Sequence, residues 1–279
     1  MTFTIPTDKL IDILWQAAEA EIMPRFGKLG DDDIREKSEA IDLVTEADEA
    51  AERLIAREIA SLMPNALFVG EESVAADPAL LGKLGAADLA IVVDPVDGTF
   101  NFANGVPLFG VMMSVVKGGE TVAGLILDPF AGDCHVAEKG AGAWAVPLDG
   151  ERKRLTLGAG LPVEEMLGAA STGYMYGEER VALVANLAKV RSFFSYRCAA
   201  HEYRLLAKGG MQFALYNKLM PWDHLAGALL TQEAGGYAAR FDGSVYLPSH
   251  TDGGLLVASD RDSWHALRDT LFPGIKPAA

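Results

Sequence analysis

The chain has 279 residues, half of them hydrophobic and 23% charged, which suits one large globular domain or two modest ones. Its net charge of -15 excludes non-specific nucleic-acid binding, which needs a basic surface, but a bound cation would still let a phosphorylated small molecule enter. The N-terminal residues lack a basic segment followed by an apolar core, and no apolar run approaches the ~20 residues of a membrane span, so neither a signal peptide nor a membrane partner is expected. Two cysteines, Cys134 and Cys198, with no C-x-x-C pair, fit a reducing cytoplasm rather than a disulfide framework or a zinc site.

In chain order, Thr7 is expected to cap a first helix with Ile11, Leu14, Trp15, Ala18 and Ile22 on one face. Asp31-Asp32-Asp33 reads as a solvated charge run. Thr45-Glu46-Ala47-Asp48 reads as a capping box opening a second helix, which Pro64-Asn65 stops. Leu67-Phe68-Val69 is a short strand ending at Gly70-Glu71-Glu72. Leu89 to Val93 is a buried strand ending at Asp94-Pro95-Val96-Asp97-Gly98-Thr99. Val111–Val116 and Thr121–Leu127 form a hairpin around Lys117-Gly118-Gly119-Glu120.

Pro147-Leu148-Asp149-Gly150 is the expected boundary between an α+β half, 1–150, and an α/β half, 151–279. In the second half, 178–190, 199–208 and 222–234 are predicted helices, the last ended by Gly235-Gly236. Segments 193–196, 212–216 and 255–258 are predicted strands, and a final helix starts at Asp260.

The chemistry concentrates at element ends. No Lys or Arg lies between Leu84 and Lys117 to neutralise Asp94 and Asp97. Burying such carboxylates is costly without a counter-charge, and a hard cation with oxygen ligands supplies one. Pro95 lacks an N–H and is expected to end the sheet ladder, so that Asp94, the Val96 carbonyl and Asp97 turn toward one point. Gly98 permits close backbone approach, and Thr99 is expected to N-cap a helix whose first amides bind an anion. Glu71-Glu72, Asp223 and Asp48 are further acidic groups at strand ends or helix starts. Taken alone, Asp-x-x-Asp-Gly-Thr reads equally well as turn and cap residues.

Together, Gly70-Glu71-Glu72-Ser73, Asp94-Pro95-Val96-Asp97-Gly98-Thr99, Asn101-Phe102, Trp222-Asp223-His224-Leu225-Ala226-Gly227 and Glu233-Ala234-Gly235-Gly236 resemble the inositol monophosphatase family. Asp42-Leu43-Val44-Thr45 with Asp48 is similar too. The resemblance implies a layered αβαβα fold and a magnesium-dependent, lithium-sensitive phosphatase that takes two or three Mg2+ ions, with Mn2+ as a substitute, and forms a homodimer. It implies that Glu71, Asp94 and the Val96 carbonyl hold one ion, and Asp94, Asp97 and Asp223 a second, with Glu71 helping at a third. Thr99 and Asp48 would orient the attacking water, and Gly98 and Thr99 would meet the phosphate. Ala199 falls at a position that meets the substrate ring. Tyr216 stands where inositol-specific members have a glutamate for inositol hydroxyls, and Arg197 and Cys198 replace small polar residues. The substrate class is therefore a small polyol or sugar phosphate. Inositol phosphate, histidinol phosphate, fructose 1,6-bisphosphate and nucleotide 3′-phosphates are the candidates, and Tyr174, Tyr176, Arg191 and His201 are possible selectors.

Two rivals fare worse. Cys198 and Arg204 have the C-x5-R spacing of cysteine phosphatases, but the residues between contain no glycine and read as helix. Asp94 and Asp97 are one residue too far apart for a haloacid-dehalogenase motif. A regulatory binding protein on the same fold is the alternative of another class.

Overall fold

The computed structural model describes residues 4–30, 33–36 and 43–276. The elements run α1 (Thr7–Ala17), β1 (Ile34–Glu36), β2 (Leu43–Thr45), α2 (Glu46–Leu62), β3 (Leu67–Gly70), α3 (Glu71–Ala76), α4 (Ala79–Leu84), β4 (Leu89–Asp97) and α5 (Thr99–Ala103). Then come β5 (Gly110–Lys117), β6 (Glu120–Asp128), β7 (Asp133–Glu138), β8 (Gly142–Pro147), β9 (Lys153–Leu155) and β10 (Leu167–Ala170). The chain closes with α6 (Gly177–Leu187), β11 (Ser192–Phe194), α7 (Ala199–Ala207), β12 (Phe213–Tyr216), α8 (Pro221–Glu233), β13 (Tyr237–Arg240), β14 (Leu255–Ala258) and α9 (Arg261–Leu271).

Side-chain alternation along the strands builds the layers. In β4, Ile91 and Val93 point into a core shared with Leu10 and Leu14 of α1 and Ile55 and Ile59 of α2. Ala90 and Val92, one residue out of phase, face the other way and meet Trp222 and Leu225 of α8. The same split separates Ala214 and Tyr216 of β12, packed toward α7 and α8, from Phe213 and Leu215, packed toward Leu187 of α6 and Trp264 of α9. The result is five layers: α1 and α2, a seven-stranded sheet, α7 and α8, a five-stranded sheet, then α6 and α9. The sheets run β3-β4-β5-β6-β7-β8-β9 and β11-β10-β12-β14-β13. This is the expected αβαβα architecture. Strands buried on both faces explain why so many read as unbroken apolar runs.

Two sequence expectations change here. Pro6, not Thr7, is the N-cap of α1, and the Thr7 hydroxyl bonds Glu138 across the fold. The strands β7, β8 and β9 were not anticipated, and β9 carries the seven-stranded sheet past Gly150 to Leu155. Of the acidic run, Asp31 and Asp32 lie outside the described residues, as does Asp42; the Asp33 carboxylate accepts from the Gly30 amide at 2.8 Å. The capping box stands as expected: Thr45 caps α2, and its amide donates to Asp48 at 2.9 Å. Among the described residues no helix is long and apolar enough to cross a membrane.

Candidate active site

A cleft of about 550 Å³ opens where β4, α3, α5, α7, β12 and α8 converge. That volume suits a small ligand. Glu71, Asp94, Asp97, Gly98, Thr99, Ala199, Tyr216 and Asp223 all line it. Asp48 and Val96 do not line it; Asp48 is fully buried behind Thr99.

The strand carrying Asp94 and Asp97 does not end at Pro95. The ladder with β5 pairs Asp94 with Met112, skips two residues and resumes at Asp97 with Gly110. Pro95, which cannot donate, sits in that bulge, where no donor is needed. The Val96 amide donates to Asp94 at 3.0 Å. The bulge thereby sets both carboxylates at one end of the strand.

Gly98, at φ 91°, is the N-cap of α5, and Thr99 is its first residue rather than its cap. A side chain at 98 would be strained at that φ and would also strike the Leu108 carbonyl at 2.8 Å. The Thr99 hydroxyl lies 3.0 Å from the Val96 carbonyl and 3.1 Å from Asp48. It therefore links the bulge to the capping box of α2.

Asp223 reaches the same place from the first turn of α8, where Pro221 supplies the helix start. Asp94, Asp97 and Asp223 each offer an oxygen within 4.8 Å of the others. Burial, then Glu71, Asp97 and Asp223, push the Asp94 carboxyl well above the usual range. Burial and the same acidic neighbours raise Asp223, and burial raises Asp97 to about 6. Carboxylates forced together out of water resist ionisation until positive charge arrives. Glu71 lines the same cleft and acts on all three electrostatically, but it stands outside the tight oxygen cluster.

Two positioning groups escaped the sequence reading. The Glu52 carboxylate, 4% exposed, accepts from the amides of Glu72 at 2.7 Å and Ser73 at 2.8 Å. It caps α3 and so fixes Glu71; a Cβ on Gly70 would meet the carboxylate at 2.3 Å and displace it from those amides. Its only sequence signal was an acidic residue on the buried face of α2. The second group is Cys198. Its thiol donates to Asp97 at 3.1 Å, and the Ala200 amide donates to the same carboxylate oxygen. This locks the start of α7 to the acidic cluster.

That geometry also removes the cysteine-phosphatase rival. Burial drives the Cys198 thiol up, so it stays neutral. Arg204 is bound to Asp133 and to the Ile126 carbonyl at 3.2 Å, and does not line the cleft. Arg197, at φ 53°, places its guanidinium 3.8 Å from the centre of the Phe100 ring at the cleft wall. Of the possible selectors, Tyr174 lines the cleft; Tyr176, Arg191 and His201 do not.

An acid cluster beside a helix start, in a five-layer αβαβα fold, defines a metal-assisted phosphatase class. The inositol monophosphatase family profile matches residues 7–271, and the chain belongs to that family, as a phosphoric monoester hydrolase. It is 31% identical over 223 residues, 80% of each chain, to a Thermotoga maritima protein named fructose-1,6-bisphosphatase/inositol-1-monophosphatase. It is 32% identical over 251 residues, 87% of each chain, to the Nus factor SuhB of Pseudomonas aeruginosa. Its fold is similar to that of the extragenic suppressor protein suhB from Bartonella henselae, with a TM-score of 0.81 at 26% identity, covering 96% of this chain and 100% of that one.

Proposed function

We propose that this protein is a magnesium-dependent hydrolase of small polyol or sugar phosphates. The observation that carries the reading is the triad of buried Asp94 and Asp97 with half-buried Asp223, whose oxygens lie within 4.8 Å and whose carboxyls are raised by desolvation and acidic neighbours. Among the described residues its donors are all carboxylates, with no histidine or thiolate in the cluster, which suits Mg2+ and, as a substitute, Mn2+. In this reading Glu71, Asp94 and the Val96 carbonyl hold one ion and Asp94, Asp97 and Asp223 another. Divalent ions there would supply a water nucleophile near neutral pH and offset charge on the leaving oxygen.

The chain's own groups do the rest. Thr99, held between Val96 and Asp48, orients water at the cleft floor. The amides of Gly98 and Thr99, at the start of α5, receive phosphate oxygens. Glu52 keeps Glu71 in place, and Cys198 with Ala200 fixes Asp97. Ala199 and Tyr216 face the leaving group. Histidinol phosphate, fructose 1,6-bisphosphate and nucleotide 3′-phosphates are the alternative substrates. We further propose lithium sensitivity, a homodimer and a cytoplasmic site; two buried free cysteines support the last.

The deciding experiment is phosphate release from these esters by chelator-treated protein, with and without added Mg2+. Release that returns only with the ion is expected; none from any ester with Mg2+ would refute the reading. A second reading, a regulatory binding role, is favoured by the similarity to a relative named Nus factor. It predicts partner capture that survives loss of Asp223, whereas hydrolysis would not survive it.

A further inference from the structure

The far edge of the seven-stranded sheet carries chemistry that the cleft does not use. β9 is the last strand of that sheet and pairs only with β8. Among the described residues its outer edge meets no other strand, so a row of backbone N–H and C=O groups stands open there. Arg152-Lys153-Arg154, the only run of three basic residues in the chain, lies on this edge with all three side chains exposed. Arg154 opposes Trp144 of β8 in the ladder. The guanidinium carbons of Arg152 and Arg154 lie 4.6 and 5.1 Å from the centre of the Trp144 ring. Side chains two apart on a strand share a face, and here both reach one indole.

The arrangement is held in place. The Trp144 Nε1–H donates to the Ala141 carbonyl at 3.2 Å. Arg154 also rests on Gly142, where a Cβ would collide with its guanidinium. Acidic residues outnumber basic ones 39 to 24, and Arg25, Arg53, Arg204 and Arg240 each hold a carboxylate. Among the described residues Arg152 and Arg154 hold none and lie on the indole instead. Stacking uses the flat face of a guanidinium and leaves its in-plane N–H donors available to an oxyanion. Much of the side-chain freedom that binding would cost is already lost. The two arginines are spaced as i and i+2 of a strand, ~6.7 Å, which is also the repeat of any strand laid alongside.

Charges on an edge strand ordinarily deter further pairing. The deterrence is selective, because a strand of opposite sign meets attraction where an apolar or basic strand does not. The net charge of -15 repels a long polyanion, so a short acidic segment fits this patch better than a nucleic acid does. We propose that β9 is a docking edge for an extended acidic segment of a partner protein, which adds to the sheet as a further strand and presents carboxylates at alternate positions to Arg152 and Arg154. Main-chain bonds supply affinity, and the two guanidinium forks supply selectivity. None of these residues lines the cleft, so the docking edge stands apart from the hydrolase reading.

The probe is a fluorescein-labelled peptide, Thr-Glu-Val-Glu-Val-Glu-Thr, read by fluorescence polarisation on the full chain at low salt. A control peptide of the same composition groups its glutamates together. Wild type is expected to bind the alternating peptide at least ~10-fold tighter than the grouped one, with the gap closing as salt is raised. Alternate amides of an added strand point toward β9 and away from it, so N-methylating one alternate set should abolish binding while N-methylating the other should not. Arg152→Gln and Arg154→Gln should each weaken the alternating peptide roughly fivefold, with phosphate release unchanged. No binding of the alternating peptide by wild type, or equal affinity for the grouped one, would overturn the proposal. Affinity unmoved in both arginine variants would remove the forks and overturn it as well. Displacement by inorganic pyrophosphate, with neither methylated set losing affinity, would leave a bare anion site and refute strand addition.

Discussion

Gly124→Ala tests how the fold holds the site together. Gly124 lies in β6, against α8, and a Cβ there would sit 2.7 Å from the Ala226 Cα and 2.9 Å from its carbonyl oxygen. Both atoms are backbone, so no side chain can swing aside. Restoring even a tight 3.4 Å contact requires α8 to retreat by about 0.7 Å, taking the difference 3.4 − 2.7. Overpacking of this kind costs about 1–3 kcal/mol. In a chain of this size each kcal/mol lowers Tm by roughly 2–4 °C. Asp223 sits one turn before Ala226 on the same helix and would move with it, away from Asp94 and Asp97. A misplacement near 1 Å costs on the order of 100-fold in rate, so kcat should fall at least ~10-fold with the fold retained. Differential scanning calorimetry and a phosphate-release assay measure the two effects. Gly82→Ala is the control: it lies in α4 with nothing within 4 Å of the new Cβ. It should gain about 0.5–1 kcal/mol and leave kcat alone. Wild-type Tm and kcat in Gly124→Ala would refute the backbone-contact reasoning.

Asp223→Asn should abolish turnover while circular dichroism and Tm stay near or above wild type, since it removes repulsion within the acid cluster; near-normal activity would exclude Asp223 from ion binding. Millimolar lithium should inhibit Mg2+-supported phosphate release, and indifference to lithium would count against the proposed ion arrangement. Tyr216→Glu should shift preference toward inositol phosphates; an unchanged substrate profile would show that position 216 does not sense the leaving group. His135 is fully buried, neither ring nitrogen has a hydrogen-bond partner, and burial lowers its pKa from 6.5 to about 2. The unfolded chain therefore binds this proton first, and stability is lost as pH falls below about 6.5. His135→Leu should flatten the pH dependence of the urea midpoint between pH 6.5 and 5, and an equally steep limb would assign acid sensitivity to other groups.

The sequence by itself determined what local chemistry controls. The Thr45–Asp48 capping box, the hairpin at Gly118-Gly119 and the start of α8 all depend on φ, missing amides or caps within a few residues. The order of acidic clusters was legible for the same reason, and so was the family resemblance. Tertiary structure decided the rest. Pro95 lies in a bulge because β5 resumes pairing at Gly110, a partner no local window reveals. Thr99 became a bridge to Asp48 because α2 packs beside β4. Glu52 caps α3 from a neighbouring helix, and Cys198 bonds Asp97 from the start of α7, about a hundred residues further along the chain. Glu202 meets Tyr216 only where α7 lies between the two sheets. Such meetings follow from how layers stack and how closely Gly124 lets α8 approach, and those distances are set by packing across the whole molecule rather than by any short stretch of chain.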